Sequence, residues 1–93
     1  MAFGSWIREE REKAGVALKE FARRINISTA YWSRIERGLE NAPRDYLIIA
    51  ACEQLGLPTD RAFIEAERLP PDMKENLELT VSVYREFRTR SAA

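Results

Sequence analysis

Residues 17–38 read ALKEFARRINISTAYWSRIERG, and this stretch decides the fold. Leu18, Phe21, Ala22 and Ile25 recur at i, i+3, i+4 and i+7, which places all four on one side of a helix over about 17–25. Asn26, Ile27 and Ser28 follow as a turn. Ser28 suits the cap of a further helix, because its hydroxyl can accept from an orphan amide two or three residues on. That helix runs to about Arg37, with Trp32 and Ile35 facing inward and Gly38 closing it. Two short helices joined by a turn of three or four residues, the second opening with small polar residues and ringed by arginines, are what a reader of the DNA major groove needs. A groove about 12 Å wide admits one helix, whose N-terminal end reaches the base edges.

Outside this stretch the apolar spacing stays helical and Gly15, Gly38, Pro43, Gly56, Pro58, Pro70 and Pro71 punctuate it, so the expected class is all-α. A first helix over about 4–14 carries Phe3, Ile7 and Ala14 on its inner side and ends at Gly15. A fourth, about 44–55, carries Leu47, Ile48, Ala50, Ala51 and Leu55; Thr59 is expected to cap a fifth with Ala62, Phe63 and Ala66 inward. Beyond Pro70 and Pro71, Asp72 and Glu75 have the spacing of a capping box opening a sixth helix over about 72–88. Leu77, Leu79, Val81 and Val83 alternate strictly, which equally fits a strand; helix is the preferred reading. The only boundary expected is at Pro70, dividing a domain over 1–69 from an extension over 70–93 whose last residues, Arg88 to Ala93, resemble a frayed tail.

Composition excludes several classes of function. The 93 residues are enough for one domain, and a chain this short buries only about 60% of its unfolded surface. Histidine is absent and cysteine occurs once, so a Cys/His zinc site, a His-based triad and an intrachain disulfide framework are all excluded. No metal site, cofactor loop or enzyme activity is expected. Cys52 ends the longest apolar run, Tyr46 to Cys52, and is expected to be a buried structural thiol in a reducing compartment. That run is far short of the roughly 20 residues of a membrane span, and no signal peptide is evident at the N-terminus; a cytoplasmic location is expected. The zero net charge hides an asymmetry: residues 1–44 hold 9 Lys+Arg against 6 Asp+Glu, and residues 45–93 hold 6 against 9. A basic half and an acidic half suggest one face for a polyanion and another for something else.

With these residues in view, the chain resembles the lambda-repressor-like, or XRE, class of helix-turn-helix regulators of bacteria and phages. The resemblance covers about residues 3–66: Gly4, Trp6 to Arg11, Ala14 and Gly15, Phe21 and Ala22, Ile25, Ile27 and Ser28, Tyr31 to Gly38, Pro43, Ile49 and Ala50, and Leu55 to Leu57. The most diagnostic piece is Ser33 to Gly38, the end of the family's recognition helix. It implies a five-helix domain that binds double-stranded DNA without a cofactor, as a homodimer on a palindromic operator, and acts as a repressor. It also implies that Thr29, Ala30 and Arg34 face the bases, with Tyr31 and Ser33 close by. Arg34 is the strongest candidate for specificity, since a guanidinium can bond guanine O6 and N7 together. Arg37, Asn41, Lys19 and the amide of Gly38 fall at phosphate-contacting positions. Arg44 falls where some phage repressors send an arginine into the minor groove. Arg11 and Glu36 fall where the family places a partly buried ion pair between the first helix and the recognition helix. Trp32 occupies a core position, and Tyr31 is expected to be exposed.

The sequence also departs from the pattern. Ala17 and Leu18 stand where a Ser or Thr cap and a Gln are usual, Arg44 replaces a small capping residue and leaves Asn41 as the local capper, and Glu40 lies beside the expected DNA backbone. Beyond the five helices, Met73, Leu77, Val81, Tyr84 and Phe87 form a stripe with no core left to cover, which points to a dimerisation surface. If residues 77–84 are a strand, edge pairing with a twin would serve the same end. An alternative function on the same fold is that of an antitoxin-like protein whose C-terminal segment binds another polypeptide, DNA binding being secondary.

Overall fold

The helical periods of the sequence become seven α-helices in the computed structural model, which describes residues 2–92: α1 (Ala2–Lys13), α2 (Leu18–Arg24), α3 (Thr29–Glu36), α4 (Asp45–Leu55), α5 (Thr59–Glu65), α6 (Pro71–Glu75) and α7 (Leu77–Ala92). The first five enclose one core. Phe3 and Ile7 of α1, Phe21 and Ala22 of α2, Trp32 and Ile35 of α3, Ile48, Ala51 and Cys52 of α4, and Ala62 and Phe63 of α5 are all buried. Trp32 is at its centre, edge-on to Phe3 with centroids 6.4 Å apart and tilted against Phe21 at 5.3 Å. Trp6 and Tyr31 close the rim as half-buried rings packed on this cluster.

The turn between α2 and α3 follows from two residues. Asn26 takes left-handed backbone at φ +60°, which its short polar side chain tolerates better than most. Ser28 then caps α3, its hydroxyl accepting from the Tyr31 amide at 3.1 Å. Close approach of α1 to α3 needs Gly4, where a Cβ would lie 2.1 Å from the Ile35 carbonyl oxygen. That oxygen belongs to helix backbone and cannot step aside. Gly4→Ala should therefore lower stability by about 1–3 kcal/mol or more, read as a lower urea midpoint; an unchanged midpoint would mean that α1 can slide off α3.

Several expectations are corrected. Ala14 is exposed beyond the end of α1, because Gly15 turns the chain out at φ +72°. Thr59 opens α5 but does not cap it: Pro58 holds the cap position and no side chain bonds there. Pro70 likewise precedes α6 without a side-chain cap, so the Asp72–Glu75 capping box does not form. Arg44 is the N-cap of α4, with no side-chain cap from Asn41 or any other residue. The sixth helix is two: Asn76 leaves the helical region at φ −133°, ψ 55°, and α7 restarts at Leu77. Asparagine competes with helical backbone through its own amide, which favours such a break. The residues expected to fray continue α7 to Ala92, supported by Arg90 donating to Glu86 at 2.7 Å; Ala93 lies outside the described residues.

Helix, not strand, is also the state of residues 77–83. At about 100° per residue, Leu77, Val81, Tyr84, Phe87, Val83 and Leu79 fall on one arc of roughly 200°, so a broad apolar face produces the same alternation as a strand. Among the described elements, α7 packs appreciably only on α6. It stands off the domain, which explains extents of 48 × 24 × 24 Å and a radius of gyration of 15.4 Å, where a compact chain of this length has about 12 Å.

Cys52 is sealed in the core, and burial pushes its thiol up to about 11. Raised above the unfolded value of about 8.5, it contributes stability that is present below that value and is lost as pH rises toward the folded one. Iodoacetamide at pH 8 should leave the native chain unmodified and label it in 6 M guanidinium; equal labelling in both would show that the core opens around α4.

Candidate nucleic-acid interface

Helix α3 buries Trp32, Ile35 and Glu36 and turns Ala30 and Arg34 outward, a division set by its 3.6-residue period, and Arg37 is exposed at its C-cap. Thr29, Tyr31 and Ser33 are half-buried at its flanks, and Tyr31 packs on the core rather than standing exposed as expected. Lys19, at the start of α2, lines a shallow concavity with Ala17, Ser28 and Thr29, so the openings of both helices face the same side. Gly38 and Asn41 line a second hollow beyond the end of α3, together with Glu40. Arg44 is exposed at the entry to α4. Among the described residues, Lys19, Arg37 and Arg44 pair with no carboxylate, whereas Arg34 donates through Nε to Glu40 at 3.4 Å and Arg37 Nε reaches its own helix at the Ser33 carbonyl.

The other basic residues near α2 are neutralised locally. Arg23 and Arg24 both bond Glu20, and these hydrogen bonds, Arg23's foremost, draw its carboxyl down to about 2. Arg8, which the sequence did not single out, lines a cleft with Ser33 and Arg37 and pairs loosely with Glu12 at 3.4 Å. Its place at the margin of α3 follows from lying one helical turn beyond Gly4, and so could be found only once the packing of α1 on α3 was known.

Behind the exposed face lies a buried polar cluster. Arg11 meets Glu36 with two bonds, Nε to Oε2 at 2.8 Å and Nη2 to Oε1 at 2.9 Å, and Nη1 donates to the Val16 carbonyl at 2.7 Å. The Trp32 indole N–H donates to the same carboxylate at 2.7 Å, a contact the sequence reading missed although Trp32 and Glu36 are one helical turn apart. Glu36 thereby strengthens the hold of Arg11 on its proton. The cluster ties α1, the segment after it and α3 into one body, and among the described residues no buried side-chain polar atom is left without a partner.

The loop 39–44 is fixed from the other side of the chain. Arg68 donates to the carbonyls of Ala42 and Pro43 and, at 3.3 Å, to Asp45. Lys74 of α6 reaches the other Asp45 oxygen at 2.7 Å and, with Arg68 beside it, holds that carboxyl below its ordinary range. Met73, Leu77, Val81, Tyr84 and Phe87 are all exposed, but the helix break puts Met73 on α6 and the rest on α7. Leu69, Leu79 and Val83 join the same apolar surface; the sequence reading had placed Leu79 and Val83 only in the alternative strand and had not singled out Leu69. Among the described residues no group of three or more His, Cys, Asp or Glu is placed to hold a metal ion. No helix among them is long and apolar enough to cross a membrane.

Residues 2–63 match the family described as "Helix-turn-helix domain". The chain belongs to that family, in its lambda-repressor-like (XRE) class. This helix-turn-helix chain is 35% identical over 68 residues to HTH-type transcriptional regulators of Mycobacterium tuberculosis strains CDC 1551 and H37Rv, a match covering 73% of it and 48% of them. It thus spans about half the length of the curated relatives it matches. Among solved structures it is similar to the clp gene regulator ClgR of Corynebacterium glutamicum. One structure gives a TM-score of 0.61 at 33% identity over 71% of this chain and 84% of that one. A second gives 0.63 at 27% identity over 97% and 85%. The master regulator for biofilm formation SinR, solved in complex with DNA, shares the helix-turn-helix fold at a TM-score of 0.61 and 24% identity, over 66% of this chain and 97% of that one.

Proposed function

We propose that this chain is a sequence-specific regulator that binds double-stranded DNA as a homodimer on a palindromic operator and represses by occupying a promoter. The observation that carries the reading is the outer face of α3: Ala30, Arg34 and Arg37 point away from the core, Lys19 opens α2 beside Thr29, and among the described residues Lys19, Arg37 and Arg44 pair with no carboxylate. Cations without carboxylate partners are free to replace the counterions of a phosphate backbone, which supplies affinity without sequence preference. Arg34 and the small residues Thr29 and Ala30, at the groove-facing end of α3, supply the preference, the latter by packing on thymine methyl groups. Lys19, Arg37 and Asn41 act on phosphate and set register, with Tyr31 and Ser33 supporting α3 from its flanks and Arg44 serving the neighbouring minor groove; the Gly38 amide, expected at a phosphate, instead donates to the Ile35 carbonyl at 3.1 Å and closes α3. The apolar surface between Leu69 and Phe87 joins two copies through the extension beyond Pro70, because one module alone buries a modest interface.

Selection from a randomised duplex pool, with the retained fraction sequenced at two salt concentrations, tests the whole reading. The expected product is a palindrome with half-sites about 34–36 Å apart. Weak, salt-sensitive retention without enrichment would remove the operator-binding role. Arg34→Ala should relax preference at one position per half-site by roughly 5- to 150-fold while lowering affinity for random duplex much less. Equal losses on selected and random DNA would mean that Arg34 contacts phosphate instead.

A further inference from the structure

Glu40 lies beyond the end of α3, yet its carboxylate reaches back to that helix to accept from Arg34 Nε at 3.4 Å, with the two side chains 43% and 44% exposed. The segment that carries Glu40 is held at both ends. Gly38 takes left-handed backbone at φ +78° directly after α3, and Arg68 grips the carbonyls of Ala42 and Pro43. The contact uses Nε alone, and among the described residues Arg34 Nη1 and Nη2 have no partner. Those two nitrogens are the donors with which a guanidinium meets guanine O6 and N7 end-on. An arginine free to swing reaches a phosphate as readily as a base, whereas an Nε contact, though weak between exposed side chains, biases the terminal nitrogens toward one direction. The charge of Glu40 opposes any polyanion, and that penalty falls on all DNA sequences alike. The orientation it imposes helps only where a guanine lies opposite.

Resting on the base-reading role of Arg34, we propose that Glu40 is a positioning residue for sequence specificity: it aims the Arg34 guanidinium at a guanine edge and weakens binding to every other sequence. The pair works as a filter, giving up affinity in general for discrimination at one base.

The test compares the full 93-residue chain with Glu40→Asp, which keeps the charge and shortens the reach, and Glu40→Gln, which keeps the reach and removes the charge. Each is taken through selection on a randomised duplex pool and then through competition with a scrambled duplex. The position read by Arg34 is the one whose guanine preference disappears in Arg34→Ala. There, both Glu40 variants should lower the preference about three- to ten-fold, part of the roughly 5- to 150-fold that a bidentate contact supplies. Glu40→Gln should also bind the scrambled duplex more tightly, and Glu40→Asp should not. In an Arg34→Ala background neither variant should change base preference, a result that a merely structural effect on the loop would not give. If the guanine preference maps to Arg34 and survives both Glu40 substitutions, the positioning role is overturned and the base-reading role stands. If Arg34→Ala leaves the selected sequence unchanged, the base-reading role itself fails and this role fails with it.

Discussion

Arg11→Ala should destabilise the chain by about 3–5 kcal/mol, because it strands the Glu36 carboxylate in the core. The side chains of the pair are 8% and 4% exposed, so water cannot replace what the guanidinium supplies. Only the Trp32 indole would still donate to Glu36, and the Val16 carbonyl would lose its donor as well. Small domains hold about 5–15 kcal/mol in total, so the loss is a large share of the whole. Replacing both partners together, Arg11→Met with Glu36→Met, should cost less than Arg11→Ala alone. The double change removes both charges and their desolvation, and leaves chiefly the indole N–H unpartnered, at about 1–3 kcal/mol. Urea titration of the two variants decides the matter: if the double variant unfolds at the lower midpoint, the pair is stabilising the fold outright. The opposite order identifies it as a device that fixes how α3 sits on α1, with little net stability of its own.

That pair illustrates how unevenly the structure was legible in the sequence. The helix-turn-helix could be read because its determinants are local: the stripe from Leu18 to Ile25, the permissive backbone at Asn26 and the cap at Ser28 all act within a few residues. The Arg11–Glu36 contact spans 25 residues and entered only through family resemblance. Trp32 was correctly placed in the core, but nothing in its spacing said that its N–H would need Glu36. The hold of Arg68 on the Ala42 and Pro43 carbonyls escaped notice for a related reason: backbone acceptors have no side-chain signature. Glu40 was noticed as an unfavourable charge near DNA, whereas its reach to Arg34 depends on the path of the loop after Gly38. In residues 77–83 the period itself misled. An apolar arc broad enough to include Leu77, Leu79, Val81 and Val83 satisfies a two-residue and a 3.6-residue repeat together, and only backbone geometry separates them.

The same broad arc gives the second large effect expected. Val81→Lys with Tyr84→Lys should convert the proposed dimer into a folded monomer and weaken binding to the proposed palindromic duplex by about 10²- to 10⁴-fold, the range by which linkage of two sites exceeds either alone. The fold should survive, because the two side chains are 46% and 59% exposed and neither belongs to the core. Lysine is also a better helix former than valine or tyrosine, so α7 itself should not be weakened. The dimer should not survive: in a two-fold interface every residue faces a symmetry-related patch, so each new cation meets others at close range in a surface that was apolar. At about 1.5 Å per residue α7 is roughly 24 Å long, and with α6 and Leu69 beside it the apolar surface continues past a single stripe. A partner helix would thus find contacts on both sides, approaching the roughly 800 Å² per subunit that a stable pair buries. Sedimentation equilibrium should give about twice 10.8 kDa for the wild type and one copy for the variant. On DNA the variant should keep the base preferences of a half-site while its salt dependence falls toward half, since half as many phosphates are engaged. A wild-type chain that sediments as a monomer, or a monomeric variant that keeps full affinity for the palindrome, would show that DNA brings the two copies together and that α7 faces some other partner.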